Sequence, residues 1–133
     1  MKVFICIDVD GGFAFNKRRQ SRDKIVIGDI VSSVGDSVLF ISDYSKKLFD
    51  GFDINLTCTD NYLNEAADDD FCFIEREYPP ISEKITELTI YRWNREYPAD
   101  TYFDIDLGEF SLIEVSEFEG NSHEKITKEV YRR

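Results

Sequence analysis

Leu88-Thr89-Ile90-Tyr91-Arg92-Trp93 is where the texture of this chain changes, and its reading decides the fold. Upstream of it, short apolar runs alternate with segments of helical spacing. Val3–Ile7 (VFICI) is continuously apolar and is ended by Asp8 and the pair Gly11-Gly12, which predicts a buried strand. From Arg22 to Val34 the apolar residues Ile25, Val26, Ile27, Ile30, Val31 and Val34 recur at three- and four-residue spacing, with Gly35 just beyond. That pattern predicts a helix with a glycine stop, although Ile25–Ile27 alone would equally suit a strand. Val38–Ile41 reads as a second buried strand, and Ile54–Cys58 and Phe71–Ile74 as a third and a fourth strand. Between them, Ser42 or Asp43 can cap a helix holding Tyr44, Leu48 and Phe49, and a short helix is expected around Tyr62–Ala67. Pro79-Pro80 opens a helical turn near Ile81–Ile85. Downstream of the pivot, Tyr102–Ile105, Phe110–Val115 and Ile126–Tyr131 are strand-like with no helix between them. Alternating βα units followed by hairpin-like strands predict one α/β domain over residues 1–133. It has three layers around a mostly parallel sheet with antiparallel C-terminal edge strands.

The composition suits that reading. The chain has 133 residues, 42% of them apolar and 14% aromatic, with a formal charge of −11. This is the size of a single core, and the apolar content argues against disorder despite the charge. No apolar run approaches the ~20 residues that span a bilayer. MKVFICIDVD places acids where a signal peptide needs its apolar stretch, so the expectation is a cytoplasmic protein with no membrane partner. Cys6, Cys58 and Cys72 are odd in number, form no CxxC and sit in apolar runs, as buried thiols would.

Charge is unevenly spread. Phe49–Glu75 and Glu96–Glu124 contain acids and no Lys or Arg, whereas Lys17, Arg18, Arg19, Arg22 and Lys24 fall within one short loop. The acidic balance disfavours duplex nucleic acid through phosphate repulsion. The basic loop could hold one phosphate or carboxylate, or simply neutralise neighbouring acids. If the strand at Tyr91 continues, Tyr91, Trp93 and Arg95 share one face and Arg92 and Asn94 the other. An aromatic face ending in an arginine could stack a flat ring and hold an anion, or could be core packing.

Three further constellations carry possible chemistry. Phe4–Gly12 (FICIDVDGG) is similar to the first motif of haloacid dehalogenase-type phosphatases. That resemblance implies Asp8 as nucleophile, Asp10 as acid/base, Ser42 and Lys46 or Lys47 at the phosphate, and Mg²⁺ as the ion. The alternative is acids capping a tight glycine turn. Asp68–Asp70 and Asp104-x-Asp106 could bind a divalent cation through oxygen but read better as solvated loops without EF-hand spacing, so no metal is expected. Ser122-His123-Glu124 suggests a nucleophile or, with Lys125, an acid–base pair; the competing reading is a surface or strand-end histidine.

The order of elements and several strings resemble dihydrofolate reductase. In that family a first strand ends in an acid and enters a glycine-containing loop with an Asn. Here Ile7-Asp8 leads into Gly11-Gly12-Phe13-Ala14-Phe15-Asn16. Thr89-Ile90-Tyr91-Arg92-Trp93 precedes Ala99-Asp100-Thr101-Tyr102-Phe103-Asp104, and Tyr131-Arg132-Arg133 matches the family's closing aromatic-x-Arg. The resemblance implies the fold, with a ligand pocket at the carboxyl end of the sheet beside Trp93.

Departures from the pattern bear on function. Where the family's phosphate-binding Gly-Arg-x-Thr would lie, the chain reads Ile41-Ser42-Asp43-Tyr44-Ser45, and Glu75-Arg76-Glu77 replaces a glycine pair. Asp23 and Asp29 both miss the spacing of the substrate-protonating acid. The expectation is therefore a degenerate reductase-like fold without nicotinamide chemistry and with no cofactor. It would bind a small anionic, nucleotide-like or pterin-like ligand through Asn16, Arg18, Arg19, Arg22, Trp93 and Arg95. Alternatives are an acidic interaction or inhibitor protein that docks on a basic partner, and the Mg²⁺-dependent phosphatase through Asp8 and Asp10. A further likeness is to short bacterial proteins that carry the label ribonuclease Z. The single histidine, His123, excludes the two-metal cluster which that name implies.

Overall fold

The structure, a computed structural model, describes residues 1–80 and 82–133. Strand β1 (Lys2–Ile7) lies at the centre of a seven-stranded sheet. The other strands of that sheet are β4 (Val38–Ile41), β5 (Asn55–Cys58), β6 (Phe71–Ile74), β7 (Glu87–Arg92), β9 (Ser111–Phe118) and β10 (Ile126–Arg132). Their spatial order is β5-β4-β6-β1-β7-β10-β9. The first five are parallel, while β10 and β9 run antiparallel at one edge, as the change of texture at Leu88 predicts.

Helix α1 (Lys24–Val34) begins and ends where its sequence dictates. Asp23 sits extended at the N-cap and accepts from the Ile25 N–H, and Gly35 at φ +59° donates its N–H to Val31 O. Its stripe Val26, Ile27, Ile30 and Val34 packs with Phe4, Leu39, Ile41, Phe73, Tyr91 and Trp93 on one face of the sheet. Alternation along β1 sends Val3, Ile5 and Ile7 to the other face, where Cys72, Ile74, Leu88 and Ile90 join them. That face is covered mainly by short pieces: the four-residue helix α2 (Tyr62–Glu65), a 3₁₀ turn at Ser82–Lys84 and a small second sheet. Helical cover is thus thinner than the sequence suggests. Asp43–Phe49 is a 3₁₀ helix rather than an α-helix, and Ile81 of the predicted turn lies outside the described residues.

The second sheet is the main departure from expectation. It comprises β2 (Gly12–Phe15), β3 (Arg18–Arg19) and β8 (Thr101–Tyr102), in the order β3-β2-β8. Tyr102–Ile105 therefore does not extend the main sheet: Asp100 N–H donates to Ala14 O and Phe103 N–H to Gly11 O, tying this segment to the glycine loop. Only glycine fits at position 12, because a Cβ there would lie 2.5 Å from Ala99 Cβ. Asn16 and Lys17 turn the β2–β3 hairpin with φ of 52° and 59°.

Candidate functional site

The carboxyl ends of the parallel strands deliver Asp8 after β1, Ser42 after β4, Glu75 after β6 and Trp93 after β7 to one rim, where open α/β sheets place their sites. Asp8 is buried and fully engaged. Its Oδ1 accepts from the N–H groups of Asp10 and Gly12 at 2.8 and 2.9 Å, and its Oδ2 from Gln20 Nε2 at 2.9 Å. This carboxylate closes the glycine turn, while Asp10 is exposed and Ser42 Oγ faces Ser45 Oγ. Among the described residues no group of three or more His, Cys, Asp or Glu is placed to hold a metal ion. Asp70 and Asp106 instead accept from the N–H groups of Ala67 and Gly108 in their own turns.

Glu75, also buried, receives Arg19 in a bidentate pair at 2.7 and 2.9 Å and Ser45 Oγ at 2.7 Å. The Arg19 guanidinium stacks on Tyr44, 4.3 Å from the ring centre. Burial alone would lower the Arg19 pKa, but the bond and charge of Glu75 carry it above the usual value. Burial raises the nearby Cys6 thiol well above its ordinary range, and the Glu75 and Asp23 carboxylates add to that, so this cysteine stays an inert thiol.

The densest polar cluster forms where the β9–β10 loop meets the start of α1. The sequence reading leaves His123 on the surface or at a strand end; in the structure it is buried, because the loop folds back beneath Trp93 and onto Asp23. Its ring stacks on Trp93 with centroids 4.3 Å apart and an interplanar angle of 19°. Nδ1 lies 2.9 Å from Asp23 Oδ2, and Nε2 lies 3.0 Å from Ser21 Oγ and 2.9 Å from Tyr97 Oη. Burial by itself would raise the Asp23 carboxyl. The hydrogen bonds from His123 and from the N–H groups of Ser122, Asn121 and Ile25 outweigh it and hold the pKa at about 2. An ionised carboxylate only accepts, so Nδ1 carries a proton and, in the neutral ring, Nε2 accepts.

Two spaces adjoin this cluster. A narrow cavity of about 20 Å³, with room for a water but not for a ring, is lined by Cys6, Arg19, Gln20, Ser21, Glu75 and Trp93 among others. Outside it a groove of about 400 Å³ runs between α1 and the 3₁₀ helix. Its apolar floor is Ile27, Leu48 and Phe52, and Arg22, Lys24, Lys47 and Asp50 stand around it.

Of the residues the sequence singles out, Arg19, Arg22 and Trp93 meet at the inner cavity. Asn16 and Arg18 stay on the exposed hairpin, where Asn16 N–H donates to Asp100. Arg95 does not share a face with Trp93: β7 ends at Arg92 and Asn94, at φ 58°, turns the chain while its amide bonds Lys125 O and Thr127 Oγ1. Ser21 and Tyr97 belong to the site and escape sequence reasoning, while Lys24 and Lys47 read there only as cations of the basic loop and of a phosphatase-like motif, Glu75 only in place of a glycine, and Asp23 only as a misplaced acid. Only Asp23 has a local signal, as a cap before an apolar helix.

No protein-family model matches the chain, and no curated protein matches it. The likeness to short bacterial proteins labelled ribonuclease Z has no counterpart in these comparisons. Among solved structures the chain is similar to a dihydrofolate reductase from Enterococcus faecalis, complexed with NADP(H) and RAB-propyl. The TM-score is 0.69 with 9% identity, over 99% of this chain and 95% of the other. At that identity the likeness is one of architecture, and it establishes that the chain has the dihydrofolate reductase-like fold.

Proposed function

We propose that this protein binds a small anionic, nucleotide-like or pterin-like ligand in the groove beside α1, without nicotinamide-dependent reduction. The carrying observation is electrostatic. In a chain with 27 acids against 16 Lys and Arg, the cations Arg22, Lys24 and Lys47 surround one groove, and none pairs with a carboxylate among the described residues. Unpaired cations around an apolar floor suit a ligand with a flat body and an anionic end. Arg19 is committed to Glu75, so the charge for the ligand comes from the outer three. The acids Asp43 and Glu75, standing where the reductase pattern calls for a cation and a glycine, support the loss of dinucleotide chemistry.

Thermal denaturation tests the reading with a panel of nicotinamides, folates, mono- and cyclic nucleotides and sugar phosphates. A ligand at ~100 times its Kd stabilises by about 2.7 kcal/mol, a rise of several degrees in Tm for this size. The expected rise disappears in Arg22→Ala/Lys24→Ala. No rise with any of these ligands overturns the proposal and shifts the reading to the acidic surface and a basic protein partner.

A further inference from the structure

We propose that Ser21, His123 and Asp23 form a nucleophile–base–acid relay that performs acyl transfer on a small carboxylic ester carrying an anionic group. The argument begins with the two ring nitrogens of His123. A structural clamp between the β9–β10 loop and α1 accounts for Asp23, which takes the N–H groups of Asn121, Ser122 and Ile25. It does not account for Nε2, which points away from that clamp toward the Ser21 and Tyr97 hydroxyls. Asp23 on Nδ1 fixes the tautomer that leaves Nε2 able to take a proton, and the Trp93 stack fixes the plane of the ring. Ser21 Oγ is 3.0 Å from that nitrogen. Ser21 also lines both the inner cavity and an open groove of about 430 Å³ shared with Arg19, Arg22 and Ser122. The base is thus buried and the nucleophile faces the space where a substrate arrives, which is what the chemistry requires.

In the first step an Oγ–C bond forms at the ester carbonyl while the Ser21 proton passes to His123 Nε2. Collapse of the tetrahedral intermediate breaks the C–O bond, and the leaving alcohol takes that proton. Water then attacks the acyl-serine, gives a proton to Nε2, and releases the acid as Ser21 recovers its own. Nothing is oxidised or reduced. Arg22, in the same groove, supplies positive charge toward the oxyanion. Tyr97 Oη, 3.3 Å from Ser21 Oγ and 2.9 Å from Nε2, can accept from the ring once Nε2 is protonated. The choice of an anionic substrate rests on the binding reading above; the relay itself does not.

The test is labelling of the full-length chain with a fluorophosphonate, in which an Oγ–P bond forms and fluoride leaves with the serine proton. Intact mass and peptide mapping should show one adduct on Ser21, formed at least ~100-fold faster than on the exposed Ser32 of the same molecule. Ser21→Ala should abolish it, and His123→Gln, shown folded by its thermal transition, should slow it by a similar factor. No adduct, an adduct on Ser122 or spread over exposed serines, or a Ser21 rate unchanged in folded His123→Gln overturns the proposal. Mapping on the wild-type chain decides the matter even where His123→Gln does not fold. Ligand-induced thermal shifts in Ser21→Ala report on the groove separately, so the two readings fail independently.

Discussion

Protonating Asp23 isolates the contribution of the buried cluster. Its carboxyl side chain has no exposed surface, and its pKa falls from an ordinary 3.8 to about 2. A fall of nearly two pH units at about 1.4 kcal/mol per unit amounts to about 2–3 kcal/mol. The sign follows from the depressed pKa: the folded state binds the proton less readily than the unfolded chain. The stabilisation is therefore complete above about pH 5 and lost as pH falls through 4 toward 2. Urea denaturation followed by the fluorescence of Trp93, the single tryptophan, gives ΔG from pH 7 to pH 2 in the wild type and in Asp23→Asn. Asn retains the capping acceptor for α1 but loses the ionised acceptor of Ser122 N–H and His123. At neutral pH the variant should be less stable by about 2–4 kcal/mol. The other acids titrate alike in both proteins, so the gap between them should narrow by about 2 kcal/mol between pH 5 and pH 2, where the folded carboxyl is half protonated. A gap that stays constant over that range would refute the reasoning.

Arg19→Ala strands the buried Glu75 carboxylate and should destabilise by about 2–4 kcal/mol, partly recovered in Arg19→Met/Glu75→Gln; a loss below about 1 kcal/mol in denaturant titration contradicts the pairing. Gly120→Ala would drive a Cβ into the Asp23 carboxylate and Ile126, and should lower stability by about 1–3 kcal/mol. Its effect should be sub-additive with Asp23→Asn in a double-mutant cycle. Ile30→Ala empties a fully buried position under the sheet and should cost about 2–5 kcal/mol by the same denaturation assay, with little change at an exposed neighbour such as Ser32→Ala.

The strands and α1 were legible because their signals are local. VFICI and FCFI are buried on both faces and read as continuous apolar runs, as VLFI does although Val38 lies exposed, and Gly35 marks the end of α1 by its own chemistry. The small sheet escaped because β3 and β8 have two residues each and exist through pairing with β2, which no short-range pattern encodes. The site escaped for a related reason. Asp23 and His123 stand 100 residues apart, and Glu75 meets Arg19 across 56. Arg19 looked available to a ligand because a cation in a basic loop carries no mark of the buried acid it will find. Trp93 looked like an open stacking surface because the sequence does not show that His123 covers one of its faces.

The place of β10 between β7 and β9 has a consequence for how the chain reaches this structure. Before residues 126–132 dock, one side of β7 is an unpaired row of N–H and C=O groups on a strand whose Leu88, Ile90 and Tyr91 are fully buried in the finished sheet. An open edge of that kind pairs readily with other chains. During synthesis the interval of greatest exposure to aggregation therefore runs from the emergence of β7 to that of β10. The same late event closes the pocket rim, since His123 arrives on the loop that leads into this strand.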